Sequence, residues 1–244
     1  MTKQLPLKEL HVAANARFGP FAGYEMPITY PLGVMKEHLH TRSAAGLFDI
    51  SHMSHIEVRG RQAADLIARA CPYPPSDQDV GTGRYTYMLN ERAGMTDDLI
   101  VSRLADQRFL VVANGACADK DLAHLTALSS GFDAEVVHIP RVFLALQGPA
   151  AADALAKLVP ESGSLLFMQV AELADGTFLS RSGYTGEDGF EIGLSLETAE
   201  AFATNLLSDP DVEWIGLGAR DSLRIEAGLP LYGQDMDEDT DPVT

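Results

Sequence analysis

Hydrophobic residues in the first half of the chain recur with two different periods. Residues 55–59 alternate between polar and apolar side chains, which predicts a strand, and residues 61–71 carry apolar side chains at helical spacing. Three strand-like runs joined by short turns, then a helix and a last strand, follow at 84–90, 96–104, 108–113, 118–128 and 134–139. The predicted order is strand, helix, three strands, helix, strand.

The second half repeats most of this order. Strand-like runs lie at 142–146, 177–181, 190–194 and 212–215. Helical patterns cover 149–158, with Pro149 in the first turn, and 196–207, with Ser195 as a candidate cap. Strand, helix, two strands, helix and strand is the ferredoxin-like order. The pattern predicts an α+β protein made of two related units.

Composition narrows the class of protein. The 244 residues are 46% hydrophobic and carry a formal net charge of −17, which argues against general nucleic-acid binding. No run of 18 apolar residues is present, and residues 1–6 lack the apolar region of a signal peptide, so we expect a cytoplasmic protein without a membrane span. Cys71 and Cys117 form no CxxC motif, which predicts two buried free thiols and no metal site.

Two adjacent carboxylates, Asp97 and Asp98, stand at the start of a predicted strand. Alone, such a pair is more typical of solvated turn acids than of a site. Side chains alternate across a strand, so only one of the two can face inward, where it could orient a substrate amine. Both faces of the strand mix polar and apolar residues, and the pattern does not choose between them.

A glycine-rich segment, residues 181–192, joins two predicted strands. Its three glycines, at 183, 186 and 189, permit positive φ angles or close backbone approach to a ligand. Glu191 follows inside the second strand, and a carboxylate there can face the core side only with a donor partner. A flat heterocycle with paired N–H groups, such as a pterin, would suit it.

Residues 216–228 predict a helix bounded by glycines. Asp221 and Arg224 are spaced for an ion pair. Arg220, near the helix N-terminus, opposes the helix dipole, so we expect an acidic partner or a ligand to hold it there.

Six segments, taken in order, resemble the folate-binding aminomethyltransferases, the family of the glycine cleavage system T-protein. The resemblance runs along essentially the whole chain. Its marks are residues 21–27 (FAGYEMP), 46–53 (GLFDISHM), 97–101 (DDLIV), 147–149 (QGP), 183–191 (GYTGEDGFE) and 216–237.

The resemblance implies a fold of three domains around a channel for tetrahydrofolate, the first two domains built on ferredoxin-like units. It assigns residues 1–53 plus 140–244 to a discontinuous folate-binding domain 1 and residues 54–139 to a ferredoxin-like domain 2. Family members continue for roughly another domain beyond Thr244. We therefore expect the C-terminal β-barrel domain of the family to be absent from this chain.

The resemblance also assigns site residues. Asp98, the second acid of the pair, resembles the essential carboxylate near the folate N5 and N10, and Glu191 resembles the acid that binds the pterin. Two tyrosines and an asparagine, Tyr85, Tyr184 and Asn114, match further positions that line the folate site, and so does Arg220. Ser102 stands where relatives carry a Tyr, so that folate contact is absent or replaced here.

The implied reaction transfers a one-carbon unit. An aminomethyl group on the dihydrolipoyl arm of the H-protein meets tetrahydrofolate as co-substrate and gives methylenetetrahydrofolate, ammonia and the dihydrolipoyl protein. The expected partner is thus lipoylated H-protein, in the cytoplasm or, in a processed eukaryotic protein, the mitochondrial matrix. Neither nucleic acid nor membrane is expected, and a monomer would suffice.

Two other functions share this fold. Folate-dependent demethylases of the same superfamily differ in what enters the far end of the channel. Non-catalytic folate-binding modules carry a Lys-Gly-Cys-Tyr motif, whereas residues 181–184 read Arg-Ser-Gly-Tyr, without the Cys. The missing Cys and the retained Asp98 favour an enzyme.

Overall fold

The computed structural model describes residues 2–243, so Met1 and Thr244, the ends of predicted domain 1, lie outside the described residues. Up to the middle of the chain the elements are β1 Lys3–Gln4, α1 Lys8–Ala13, β2 Arg17–Phe21, β3 Tyr24–Thr29, α2 Val34–Ser43, β4 Ala45–Asp49, β5 Ser54–Arg59, α3 Ala63–Ala70, β6 Thr82–Leu89, β7 Met95–Ala105, β8 Arg108–Ala113, α4 Ala118–Ser129 and β9 Glu135–His138. The remainder are β10 Val142–Gln147, α5 Ala151–Ala156, β11 Val170–Glu172, β12 Phe178–Ser180, β13 Gly189–Leu194, α6 Ala199–Leu207, β14 Val212–Trp214 and α7 Leu217–Glu226. Short 3-10 helices cover Pro75–Asp77 and Pro160–Ser164.

The chain divides into two compact units. Unit 1 comprises residues 2–52 and 141–229, and unit 2 comprises residues 53–140 and 230–243. Among the described residues, no helix is both long enough and apolar enough to cross a membrane.

Unit 2 confirms the predicted element order. Its antiparallel sheet has the strand order β6-β7-β8-β5-β9, in which the last four strands follow the ferredoxin-like arrangement and β6 is added at the edge. Apolar side chains of α3, including Leu66 and Ile67, pack with Val101 and Phe109 of the sheet in one buried core. The alternation in β5 and the helical spacing in α3 arise because each element buries one face there.

Between residues 142 and 215, unit 1 contains every predicted element in the predicted order plus one strand that was not predicted, β11, and it pairs its strands differently from a simple ferredoxin-like sheet. Its main sheet has the order β11-β12-β13-β10-β4-β14, so β4 lies between β10 and β14. All five residues of β4 are buried. A strand that is buried on both faces does not alternate between polar and apolar residues. For this reason the sequence pattern did not predict β4 as a strand, although most of its residues belong to one of the family segments. A separate sheet pairs β3 with β1 and β2.

The C-terminal segment, residues 230–243, corrects the predicted domain boundary. The resemblance assigns this segment to domain 1, but it packs within unit 2. Met95 N–H donates to the Thr240 carbonyl at 3.1 Å, and Lys120 Nζ lies 2.9 Å from Glu238 Oε1. The partners are about 120 to 150 residues distant along the chain, beyond the reach of a local pattern.

Candidate functional site

Strand β7 separates the two adjacent carboxylates onto opposite faces of the unit 2 sheet. Asp97 is completely buried on the face that carries Leu99 and Val101, which belong to the core beneath the helices. Asp98 lies on the other face and keeps partial exposure. The mixed sequence pattern had left this choice open, and the packing of the helices on one face of the sheet decides it.

Asp98 is held by two side chains from different elements. The hydroxyl of Tyr85, on β6, donates to Asp98 Oδ2 at 2.9 Å, and the amide Nδ2 of Asn114, just after β8, donates to Oδ1 at 2.7 Å. Burial raises the pKa of Asp98, with a smaller contribution from the charge of Asp97, while the two donors lower it. The structure therefore brings together the three predicted site residues of unit 2.

Asn114 also links the two carboxylates. Its Nδ2 lies 2.9 Å from Asp97 Oδ1, and its backbone N–H donates to Asp97 Oδ2 at 3.0 Å. The amide hydrogens of Asn114 are thus directed at Asp97 and Asp98 together. This geometry makes Asn114 an orienting residue for Asp98 in addition to any ligand contact.

Cys117, the N-cap residue of α4, and Asp121, within the helix, lie next to Asp97, and the sequence patterns did not assign either residue to the site. One carboxylate oxygen each of Asp97 and Asp121 and the Cys117 sulfur all lie within 4.8 Å of one another and are buried. These three atom types are also capable of binding a cation. A signal for Asp121 was present in the sequence. It stands four residues before Leu125, on the buried face of the helix, where an acid is unexpected.

Unit 1 contains the other three predicted site residues, Tyr184, Glu191 and Arg220, at or near the loop between β12 and β13. A side chain at Gly183 or Gly189 would overlap Gln147, and Gly186 has a φ of +80°. The predicted close approach therefore occurs against Gln147, whose Nε2 donates to the Ser182 carbonyl at 3.0 Å. Small residues let the loop lie directly on the end of β10, and this fixes the path of the chain at Tyr184.

Glu191 has the donor that its buried position in β13 required. The Ser182 hydroxyl donates to Glu191 Oε2 at 2.9 Å, and Glu191 is only 9% exposed. Burial raises the pKa of Glu191, whereas the positive charge of Arg220 and the Ser182 hydrogen bond lower it. The sequence pattern did not indicate Ser182 as a site residue, because its hydrogen bond to Glu191 depends on the conformation of the loop between them.

Arg220 stands in the first turn of α7 with its guanidinium 4.7 Å from the centre of the Tyr184 ring. Its buried Nη1 has no hydrogen-bond partner among the described residues, and no ion pair within 4.0 Å joins it to Glu191 there. Burial lowers the pKa of Arg220, and the nearby charge of Glu191 opposes that effect. The predicted ion pair of Asp221 with Arg224 is confirmed at 2.9 Å.

His52 adds a neutral polar group to unit 1. Burial and the charge of Arg220 lower the pKa of His52 to about 3, so the imidazole is uncharged at neutral pH. Its buried Nδ1 has no hydrogen-bond partner in the part of the chain that the structure describes. His52 belongs to the segment at 46–53 that carried the family resemblance, but its type alone did not indicate a site residue.

These unit 1 groups suit a polar heterocycle. Among residues 2–243, Glu191 has one side-chain donor, the Ser182 hydroxyl, while Arg220 Nη1 and His52 Nδ1 are buried without hydrogen-bond partners. Buried polar atoms of this kind are uncommon unless a ligand or water completes them. A pterin ring, which offers both donors and acceptors, fits this set of residues.

Comparison with known proteins agrees with the fold. The profile of the GCVT N-terminal domain family matches residues 7–244. A crystal structure of the glycine cleavage system aminomethyltransferase T from Bartonella henselae superimposes with a TM-score of 0.98 at 55% identity, over 100% of this chain and 67% of that one. A chain of heterotetrameric sarcosine oxidase from Corynebacterium sp. U-96, at 18% identity and a TM-score of 0.54, shares the fold alone.

The chain thus belongs to the GCVT N-terminal domain family, whose members are α+β transferases. Among its relatives are proteins named aminomethyltransferase, from Thermus thermophilus at 41% identity and the mitochondrial protein of Gallus gallus at 39%. Both alignments include 99% of this chain but only 70% and 64% of the respective relatives. The chain therefore spans about two thirds of their length. The predicted family and α+β fold class are confirmed.

Proposed function

We propose that the chain provides the folate-binding and catalytic residues of a glycine cleavage aminomethyltransferase. In this reaction the one-carbon unit of an aminomethyl-dihydrolipoyl H-protein passes to tetrahydrofolate. The carbon loses its bonds to ammonia and sulfur and gains bonds to two folate nitrogens, and their two protons leave on ammonia and on the thiol. The observation that carries the proposal is the position of Asp98 between the Tyr85 hydroxyl and the Asn114 amide.

Asp98 is the proposed catalytic residue. Two donors fix its carboxylate on the more exposed face of the sheet, so little reorganisation is needed when positive charge develops on a nearby amine. Its raised pKa strengthens its interaction with N–H groups because a more basic carboxylate is a better acceptor. We assign to Asp98 the orientation of the folate amine and the electrostatic stabilisation of the developing cation.

The proposed pterin-binding residues are Glu191, Tyr184 and Arg220. Glu191 presents a carboxylate that has a single side-chain donor in the described part of the chain, and the Tyr184 ring contacts the Arg220 guanidinium at 4.7 Å. Tetrahydrofolate would supply the nucleophilic nitrogens, and the chain would supply recognition of its ring. Tyr85 and Asn114 are proposed to act mainly through Asp98. Ser102 is fully buried, so it offers no surface to replace the Tyr of relatives.

The proposed partner is lipoylated H-protein, because the similar structure from Bartonella henselae is a glycine cleavage system aminomethyltransferase and the sequence relatives are named aminomethyltransferase. The direct test measures methylenetetrahydrofolate formation by the 244-residue chain from aminomethylated H-protein and tetrahydrofolate, beside a version extended to the length of its relatives. Formation that depends on H-protein and Asp98 supports the proposal. Folate binding without turnover at either chain length would favour the non-catalytic binding module. Turnover only with methyl donors would favour the demethylase.

A further inference from the structure

A buried cluster of three side chains lies on the helix side of β7, opposite Asp98. Asp97, Cys117 and Asp121 are all buried, and Asp121 is only 1% exposed. Asp97 is well provided with donors, since both of its oxygens accept hydrogen bonds from Asn114. Neither oxygen of Asp121 has a donor among the described residues.

An ionised Asp121 would be costly in this position. Taking a carboxylate out of water without donors is strongly unfavourable, and a second negative charge within 4.8 Å adds repulsion. Lys120, the next residue on α4, does not neutralise it, because its ammonium turns to Tyr232 and Glu238 at 3.2 and 2.9 Å. A proton on Asp121 removes both penalties, since a carboxylic acid can donate to the carboxylate of Asp97.

We propose that Asp121 is a carboxylic acid at neutral pH that donates a hydrogen bond to Asp97, and that this pair positions Asn114 and, through it, Asp98. The chain of contacts runs from Asp121 to Asp97, from Asp97 to the Asn114 amide, and from that amide to Asp98 Oδ1 at 2.7 Å. One shared proton keeps a single negative charge behind the sheet. That charge orients the amide so that its hydrogens serve both carboxylates.

The other groups around the pair agree with one proton and one negative charge. From α4, the Cys117 thiol interacts with Asp97, and burial raises the pKa of this thiol, so it stays neutral and acts as a donor. From the end of α3, Cys71 is also neutral, because burial raises its pKa to about 12. β7 itself carries two further charged residues: Asp98, which lies on the opposite face of the sheet, and Arg103, whose guanidinium donates to the carbonyls of Ser76 and Gln78. A divalent cation at the cluster is disfavoured because the oxygens of Asp97 already face N–H donors.

The protonation half of the proposal can be tested without any activity. Infrared difference spectra and carbon-13 spectra of aspartate-labelled wild-type chain at neutral pH should show one protonated aspartate carboxyl. The signal should vanish in Asp121→Asn and persist in Asp119→Asn, the exposed aspartate of the same helix. A wild-type chain with every aspartate ionised at neutral pH would overturn the proposal. Stoichiometric binding of Zn²⁺ or Mn²⁺ that Asp121→Asn abolishes would overturn it too.

The positioning half rests on the proposed function. Asp121→Ala should lower kcat by about tenfold to a hundredfold, the size expected when a catalytic group shifts by about 1 Å. KM for tetrahydrofolate should change little, and the pH profile of kcat should shift because Asp98 loses its orienting amide. Asp121→Asn, whose amide can still donate to Asp97, should rescue most of the loss. Equal loss in both variants, or an unchanged pH profile in Asp121→Ala, would refute a positioning role.

The outcomes of the two halves are distinguishable. If the wild-type chain shows no turnover at all, the proposed function fails while the spectra still decide the protonation of Asp121. If Asp121→Ala does not fold, the wild-type spectra and the Asp121→Asn pH profile remain as tests.

Discussion

The carboxylate cluster of unit 2 and the Glu191 cluster of unit 1 hold buried polar groups in opposite ways. Around Asp98, donors from β6 and from the end of β8 meet the carboxylate at 2.9 and 2.7 Å. Around Glu191, one serine hydroxyl is the protein donor, and buried nitrogens of Arg220 and His52 have no hydrogen-bond partner among the described residues. Asp98 thus receives its donors from the protein, whereas the groups around Glu191 leave buried nitrogens without partners among the described residues.

This difference indicates different tasks. A carboxylate that is already oriented can stabilise charge in a transition state with little reorganisation. Unsatisfied buried donors and acceptors gain most when a ligand arrives that completes them. We therefore associate unit 2 with the chemical step and unit 1 with recognition, and mutations should separate turnover from binding along this line.

The largest expected effect is on turnover. Asp98→Asn keeps the shape of the side chain but removes its charge, so kcat should fall by about 10²–10³-fold, the range seen when one preorganised electrostatic contact is lost. Folate affinity should remain within a few-fold. Steady-state assays with H-protein and calorimetry with tetrahydrofolate measure the two quantities, with Asp119→Asn as the control. Turnover equal to that of the wild type would remove Asp98 from the catalytic role.

The next effect is on binding. Glu191→Ala would leave ligand N–H groups unpaired, which costs about 1–3 kcal/mol. We expect the Kd for tetrahydrofolate to rise by about 5- to 150-fold, with a smaller change in kcat at saturating folate. Calorimetry measures the affinity, and Glu213→Ala, an exposed acid on β14 of the same unit, is the control. An unchanged Kd in Glu191→Ala would contradict the division of tasks.

A third effect concerns the loop that carries Tyr184. In Gly183→Ala the new methyl group would overlap Gln147, so the loop or Gln147 must move, at a cost of about 1–3 kcal/mol in the free energy of unfolding. Folate binding should weaken as Tyr184 shifts. Gly163→Ala is the matched control, because no atom lies within 4 Å of the added methyl group. Urea unfolding measures both variants, and equal stability would show that Gly183 has room for a side chain.

The last effect is a pH dependence of stability, at a side chain that makes no proposed contact with the ligand. Burial and the charge of Asp97 raise the pKa of Asp121 above its value in the unfolded chain. The folded state then binds more protons than the unfolded state between these two pKa values, so stability declines as the pH rises from about 4 toward alkaline pH. The difference in unfolding free energy between wild type and Asp121→Asn should change by up to about 1.4 kcal/mol per pH unit. A difference that is constant over this range would contradict a raised pKa at Asp121.

Local patterns in the sequence were sufficient for most elements of unit 2. The alternation at β5 and the helical spacing at α3 each reflect burial of one face, and that property can be read from neighbouring residues. The same holds for the ion pair of Asp221 with Arg224, which lies within one helix. The ordered motifs were sufficient for the family, and the comparisons confirm it.

What the tertiary structure decided depends on partners that are distant along the chain. The face of β7 that carries Asp97 is buried because two helices cover it, and no feature within residues 95–105 records that choice. Strand β4 enters the unit 1 sheet through pairing with β10 and β14, about 100 and 165 residues further on. The sequence by itself determined which residues could carry chemistry. Only the packing decided that Asp98 is the partly exposed carboxylate and that Asp97 and Asp121 lie behind it, because burial is a property of the assembled layers.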